Sequence, residues 1–238
     1  MNRDAHHVFR QVQLAWDHLT VSMQKMYQGS SVRPNGAHDI FSLDESAPDD
    51  EVKFNIGPMV FNVPERVGRG HSLFIVVKGW LSFGDGDLRA MPLKTKSFGT
   101  EVGYFRLKDG VLEHVYGVHY DLDEVLPGHP VFHAQVASRM DLGASVRELY
   151  RVEDEIADLF NPKLRNIRIP TAQMDVFSAV IQICADHLVY KEADQTVHDA
   201  FSDVRSANAF FVGAAHRMHF LNALPATGCY RAAHWYCR

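Results

Sequence analysis

The run Gly99-Thr-Glu-Val-Gly-Tyr-Phe-Arg-Leu107, then Lys108-Asp109-Gly110, then Val111-Leu-Glu-His-Val-Tyr-Gly-Val-His-Tyr-Asp121 decides the fold. Two segments rich in Val, Tyr and Phe flank an Asp-Gly pair, whose residues accept positive φ and therefore close a tight hairpin. The same alternation continues outward in both directions. Val52, Phe54 and Ile56 alternate, Met59 to Val63 is apolar, and Leu73 to Phe83 is dense in β-branched and aromatic residues up to Gly84-Asp85-Gly86. Beyond a loop containing Pro127-Gly128, Val131 to Ser138 reads as a further strand. Residues 52–139 are thus expected to form an antiparallel meander of roughly five to seven strands.

On either side the period becomes helical. Val8, Val12, Trp16, Leu19, Met23 and Met26 recur at spacings of three and four, which predicts a helix over 5–27 that ends at Gly29. Residues 28–50, with Pro34, Asn35-Gly36 and Pro48, read as a long exposed loop. Helices are expected across 144–222. The first carries Val146, Leu149, Tyr150, Ile156, Leu159 and Phe160 opposite Arg147, Glu148, Arg151, Asp154, Glu155 and Asp158, and stops near Asn161-Pro162. A short extended piece, Leu164 to Pro170, leads to Thr171 as N-cap of a second, strongly apolar helix through Met174, Phe177, Val180, Cys184 and Leu188. The third runs from about Ala193 to Leu221, and residues 223–238 form a tail. Strands followed by helices predict one α+β domain over 1–238, with an N-terminal helix, a β-meander and a C-terminal three-helix region packed on one sheet face.

The chain has 238 residues with 24 basic and 29 acidic side chains, a net charge of −5, so no overall field attracts a phosphate backbone. Three cysteines are too few for a disulfide framework, and a reducing cytoplasm is the expected location. The segment Met1 to Arg10 lacks the apolar core of a signal peptide, and runs such as Leu73 to Val77 and Ala209 to Ala215 fall far short of the roughly 20 residues that span a bilayer. No membrane association is expected. Phosphate-loop, dinucleotide, zinc-protease and serine-hydrolase signatures do not occur.

Histidine is the compositional outlier, with 14 residues. The leading constellation is His119-Tyr-Asp121 with His129-Pro-Val-Phe-His133-Ala-Gln135. A hairpin centred near Leu126 sets His119 opposite His133 and Asp121 opposite Val131, all on one sheet face. Two imidazoles so placed suit a shared Zn²⁺ or Mn²⁺ with Asp121 or His129 as third ligand, an acid and base pair, or a hydrogen-bonded polar patch. Secondary candidates are His216 with His219 on the last helix, the tail thiols Cys229 and Cys237 with His234, Cys184 as a nucleophile, and the acidic run Glu153, Asp154, Glu155 and Asp158. The basic trio Lys163, Arg165 and Arg168 suits either a phosphate or a loop salt bridge.

The order Tyr120-Asp121, His129-Pro130-Val-Phe-His133 and Arg168-Ile169-Pro170 resembles a pattern in uncharacterised bacterial proteins, some carried by mobile or antiviral-defence loci. That resemblance covers about residues 104–190 and implies a bacterial defence-accessory role. The order of helix, meander, His-Pro pair and final helices is also similar to ubiquitin-conjugating enzymes. Here Val131 follows the pair where that family has Asn, and no cysteine lies between Pro130 and Ile183, so the likeness implies a non-catalytic binding version. The leading expectation is a cytoplasmic protein that binds a protein partner through the 30–50 loop and the sheet face around His119 and His133. The alternative is a metal-dependent hydrolase or nuclease in which His119, His133 and Asp121 hold an ion that activates water. Nucleic-acid binding is a third expectation, one the net charge does not favour.

Overall fold

The computed structural model describes residues 3–27, 37–63, 72–84, 87–122, 130, 132–136, 140–142, 147, 151–153, 167–189 and 194–212. Its strands are β1 (Phe41–Leu43), β2 (Val52–Val63), β3 (Ser72–Phe83), β4 (Leu93–Lys108), β5 (Val111–Leu122), β6 (Phe132–Val136), β7 (Arg151–Glu153), β8 (Arg168–Pro170) and β9 (Phe211–Val212). The helices are α1 (Arg3–Met26), the single-turn α2 (Ala37–Ile40), α3 (Val176–His187) and α4 (Gln195–Ser206). One sheet runs in the order β1-β2-β3-β4-β5-β6-β8, antiparallel throughout, while β7 joins β5 and β9 joins β4 in parallel. The chain is therefore α+β, with an N-terminal helix, a meander, and two C-terminal helices among the described residues where three were expected.

The Asp109-Gly110 turn forms as read, with φ of 51° and 78°. The register it sets changes once along the hairpin. Phe105 faces His114 but Tyr104 faces Tyr116, so Val115 is the extra residue of a β-bulge. One face of the sheet carries the main core. There Trp16 meets Phe41 and Phe177 edge-on at centroid distances of 5.6 and 6.2 Å, and Phe177 lies 4.9 Å from Phe211. All six residues of the predicted α1 stripe are buried in it. The opposite face has a smaller cluster of Phe74, Val76, Phe105 and Leu112, covered by Met140 and Leu142.

Four expectations change. The 28–50 loop is structured from Ala37 onward: Ile40 and Phe41 are buried, and β1 pairs with β2, because an apolar Ile-Phe step inside the polar stretch finds Trp16 and Phe177. A helix cannot run unbroken through 144–160, since Arg151–Glu153 pairs with Val111–Glu113, the half of β5 that β6 leaves without a partner strand. Thr171 does not cap α3. Its N–H donates to the Phe132 carbonyl at 3.1 Å, carrying the β8 pairing onward, and Asp175 caps instead through Oδ1 to the Ser178 N–H at 3.0 Å. The last helix ends at Ser206 and not near Leu221, passing through a 3₁₀ turn (Ala207–Phe210) that brings Phe211 against Phe83 and Phe177. No described helix is long and apolar enough to cross a membrane.

Candidate metal centre

Alternation along β4 sets the floor of the site. Phe98, Thr100, Val102 and Tyr104 point to the helices, so Gly99, Glu101 and Gly103 point to the other face. Past the bulge, β5 follows: Val118, Tyr120 and Leu122 face the helices, and Gly117, His119 and Asp121 face away. On β6, Phe132 and Ala134 are core, which turns His133 and Gln135 outward. Directly opposed residues share a face, so two rows cross the outer side of the sheet. One is Lys78, Glu101, His119, Gln135 and Arg168; the other is Trp80, Gly99, Asp121, His133 and Pro170.

The register differs from the expected one by two residues. His119 pairs with Gln135, and Asp121, not Val131, stands opposite His133. A shift of two preserves the face, because side chains alternate with period two, and so the predicted residues still meet. His119 Nε2 is 2.9 Å from Asp121 Oδ2, and His133 Nε2 is 2.9 Å from Asp121 Oδ1. The imidazoles address the carboxylate and not each other, their centroids being 6.4 Å apart at 59°. His133 is buried at 1% exposure, whereas His119 and Asp121 are 35% and 28% exposed, so the cluster is walled on one side and open on the other.

Burial alone would raise the Asp121 carboxyl. The hydrogen bonds and positive charge offered by His119 and His133 outweigh it and hold the group well below the usual carboxylate range. His119 is raised from its ordinary value, first by the hydrogen bond to Asp121 and then by the charges of Asp121 and Glu101, against burial and the positive charge of Arg168. Asp121 is thus ionised across the physiological range, as a metal ligand must be.

One ligand atom from each of His119, Asp121 and His133 lies within 4.8 Å of the others. A tetrahedral ion at about 2.1 Å from each donor needs ligand separations of about 3.4 Å, wider than the two 2.9 Å His–Asp contacts and inside the 4.8 Å that bounds all three. Sequence reasoning did not find Glu101, bonded to Lys78 at 3.4 Å beside His119, or Trp80, which lies across Gly99 so that a Cβ there would come 2.5 Å from its Nε1. Gly99, where a side chain would meet the Trp80 ring, was the one local signal for Trp80, and Glu101 had none. Arg168 is brought into the first row on β8. Cys184 is buried on α3 with its thiol pushed up to about 12 by burial, which removes it as a nucleophile. Of the acidic run only Glu153 is placed, on β7; His129, Asp154, Glu155, Asp158, Lys163, Arg165, His216, His219, Cys229, His234 and Cys237 lie outside the described residues.

No family model, curated protein or solved structure matches the chain. What the site does rests on its own geometry.

Proposed function

We propose that His119, Asp121 and His133 bind one divalent transition ion, zinc or manganese, and that the protein is a metal-dependent hydrolase. The convergence of two imidazole nitrogens and a carboxylate around one point carries this reading. Two nitrogen donors suit zinc or manganese better than calcium or magnesium, which take oxygen. Three protein ligands leave a position for water, and the exposed side of His119 and Asp121 faces solvent where a substrate must arrive. An ion held by His119, Asp121 and His133 would supply a water of lowered pKa. In the hydrolysis that this chemistry would serve, a water oxygen bonds to the electrophilic centre, the scissile bond breaks, and the water proton passes to the leaving oxygen.

Elemental mass spectrometry of untagged protein tests it. About one zinc or manganese per chain is expected in the native protein and none in a folded His119→Ala, His133→Ala variant; metal-free native protein that takes up none on titration overturns the reading. A second reading, a partner-binding accessory protein of a bacterial antiviral-defence pathway, draws on a different observation. Ile169 on β8, the last strand of the sheet path, is 52% exposed, and neighbouring Ile167 is 49% exposed. Within the described residues 37–50 of the expected contact loop, β1 lies four strand spacings from β5, about 19 Å, so the loop's β1 portion and the histidines do not form one patch. Under this reading Ile169→Lys abolishes partner binding and leaves metal content unchanged. A cytoplasmic location agrees with both.

A further inference from the structure

Beside the three ligands the outer face carries one positive charge that nothing among the described residues neutralises. Lys78, at one end of the row, is bonded to Glu101. Arg168, at the other end, is exposed and makes no ion pair with a described residue. It stands directly opposite Gln135, which stands opposite His119, so its backbone is two strand spacings from that ligand, about 10 Å, on the same face. That separation suits a tetrahedral anion held between the guanidinium and the open side of the ligand cluster.

Charge selects the anion. With two neutral imidazoles, a divalent ion and the Asp121 carboxylate leave one positive charge, Arg168 adds a second, and the Lys78–Glu101 pair adds none. A site of charge about +2 complements a dianion better than a monoanionic carboxylate or phosphodiester. An arginine fork also matches two phosphoryl oxygens at once, which an ammonium does not.

We infer that the substrate is a phosphate monoester, its dianionic phosphoryl group bridged between the ion on His119, Asp121 and His133 and the guanidinium of Arg168. This rests on the metal reading above. In the hydrolysis it implies, a water oxygen bonds to phosphorus, the ester P–O bond breaks, and the departing alcohol takes the proton, with no change of oxidation state.

The test uses full-length protein loaded with Co²⁺ as a spectroscopic substitute, with inorganic phosphate and phenyl phosphate as probes and diphenyl phosphate and acetate as controls. Wild type is expected to bind both probes near pH 8 with a change in the visible cobalt spectrum, and the controls at least tenfold more weakly. Arg168→Ala should weaken probe binding roughly ten- to hundred-fold with metal stoichiometry unchanged, and Arg168→Lys should recover only part of it. Because Arg168 is exposed on a terminal strand, neither substitution threatens folding. If wild type binds metal but the probes bind Arg168→Ala equally well, or the diester binds as tightly as the monoester, the phosphomonoester assignment fails and the metal site stands. If wild type binds no metal, both fail.

Discussion

Replacing Asp121 by asparagine in EDTA-treated protein isolates what the carboxylate contributes to the fold. The amide keeps the volume and one acceptor oxygen, but its nitrogen must face one of the two imidazoles now 2.9 Å away. One charge-assisted hydrogen bond is lost, which costs about 1.5–3 kcal/mol. For a chain of this size that lowers Tm by about 3–12 °C. The pH dependence is more diagnostic than the size. Asp121 has a folded pKa below the unfolded value of about 3.9, so its contribution is complete above that pH and is lost as pH falls through the folded value. His119 has a folded pKa above the unfolded value of about 6.5, so its contribution is complete below that pH and is lost as pH rises through the folded value. The stability difference between wild type and Asp121→Asn should therefore plateau between about pH 4 and 6.5 and shrink on both sides. The alkaline decrease is the smaller, because His119 is 35% exposed and solvent screens its share to below about 1 kcal/mol. Urea unfolding from pH 3 to 9 measures the curve. A difference that is flat across the range, or largest at pH 9, would refute a carboxylate bridging two imidazoles.

Three further outcomes follow from packing and backbone. Trp16→Ala empties a site in contact with Phe41 and Phe177 and should cost about 3–5 kcal/mol by urea unfolding, with an exposed α1 control such as Gln24→Ala within about 0.5 kcal/mol of wild type. Gly79→Ala should yield little soluble folded protein, since φ is 155° and a Cβ would clash with the Gly99 carbonyl oxygen; Gly110→Ala, at φ 78° with open space around it, should fold and lose only about 1–2 kcal/mol. Cys184 should resist iodoacetamide in native protein and react in urea, as read by peptide mass mapping, because burial keeps its thiol protonated; rapid native labelling of the Cys184 peptide would contradict the placement of α3.

Where the sequence could be read, side-chain period and backbone chemistry agreed. The α1 stripe and the Asp109-Gly110 hairpin each contain their own explanation, apolar spacing in one and tolerance of positive φ in the other. Where it could not, the deciding partner was remote. Phe41 looks like an apolar residue stranded in a polar loop until Trp16 and Phe177 are brought to it. Arg151-Val-Glu153 looks helical because it lies between Leu149, Tyr150 and Ile156 of an apolar stripe at helical spacing, but the half of β5 that β6 leaves open offers backbone hydrogen bonds that its own segment cannot reveal. The N-cap moved from Thr171 to Asp175 for the same reason, a long-range bond to Phe132. Glu101 and Arg168 joined the site through strand pairing, which no local pattern encodes.

The bulge at Val115 shows how narrowly the site depends on register. A two-residue turn at Asp109-Gly110 pairs Lys108 with Val111 and, without interruption, would set His119 opposite Thr100. Thr100 faces the helices and is buried, so both His119 and Asp121 would then point into the core as unmatched polar groups. The extra residue reverses the parity of β5. Before it, Leu112 and His114 share the outer face with Phe105; after it, that face belongs to Gly117, His119 and Asp121. Burying a carboxylate among Phe98, Val102 and Phe132 would cost several kcal/mol, far more than one unpaired residue in a ladder, so the hydrophobic side of the sheet drives the bulge and the bulge in turn delivers the ligands to solvent. The cluster survived a two-residue error in the expected β5–β6 register for the same reason that it depends on this single insertion: an even shift keeps side chains on their face, and an odd one moves them all.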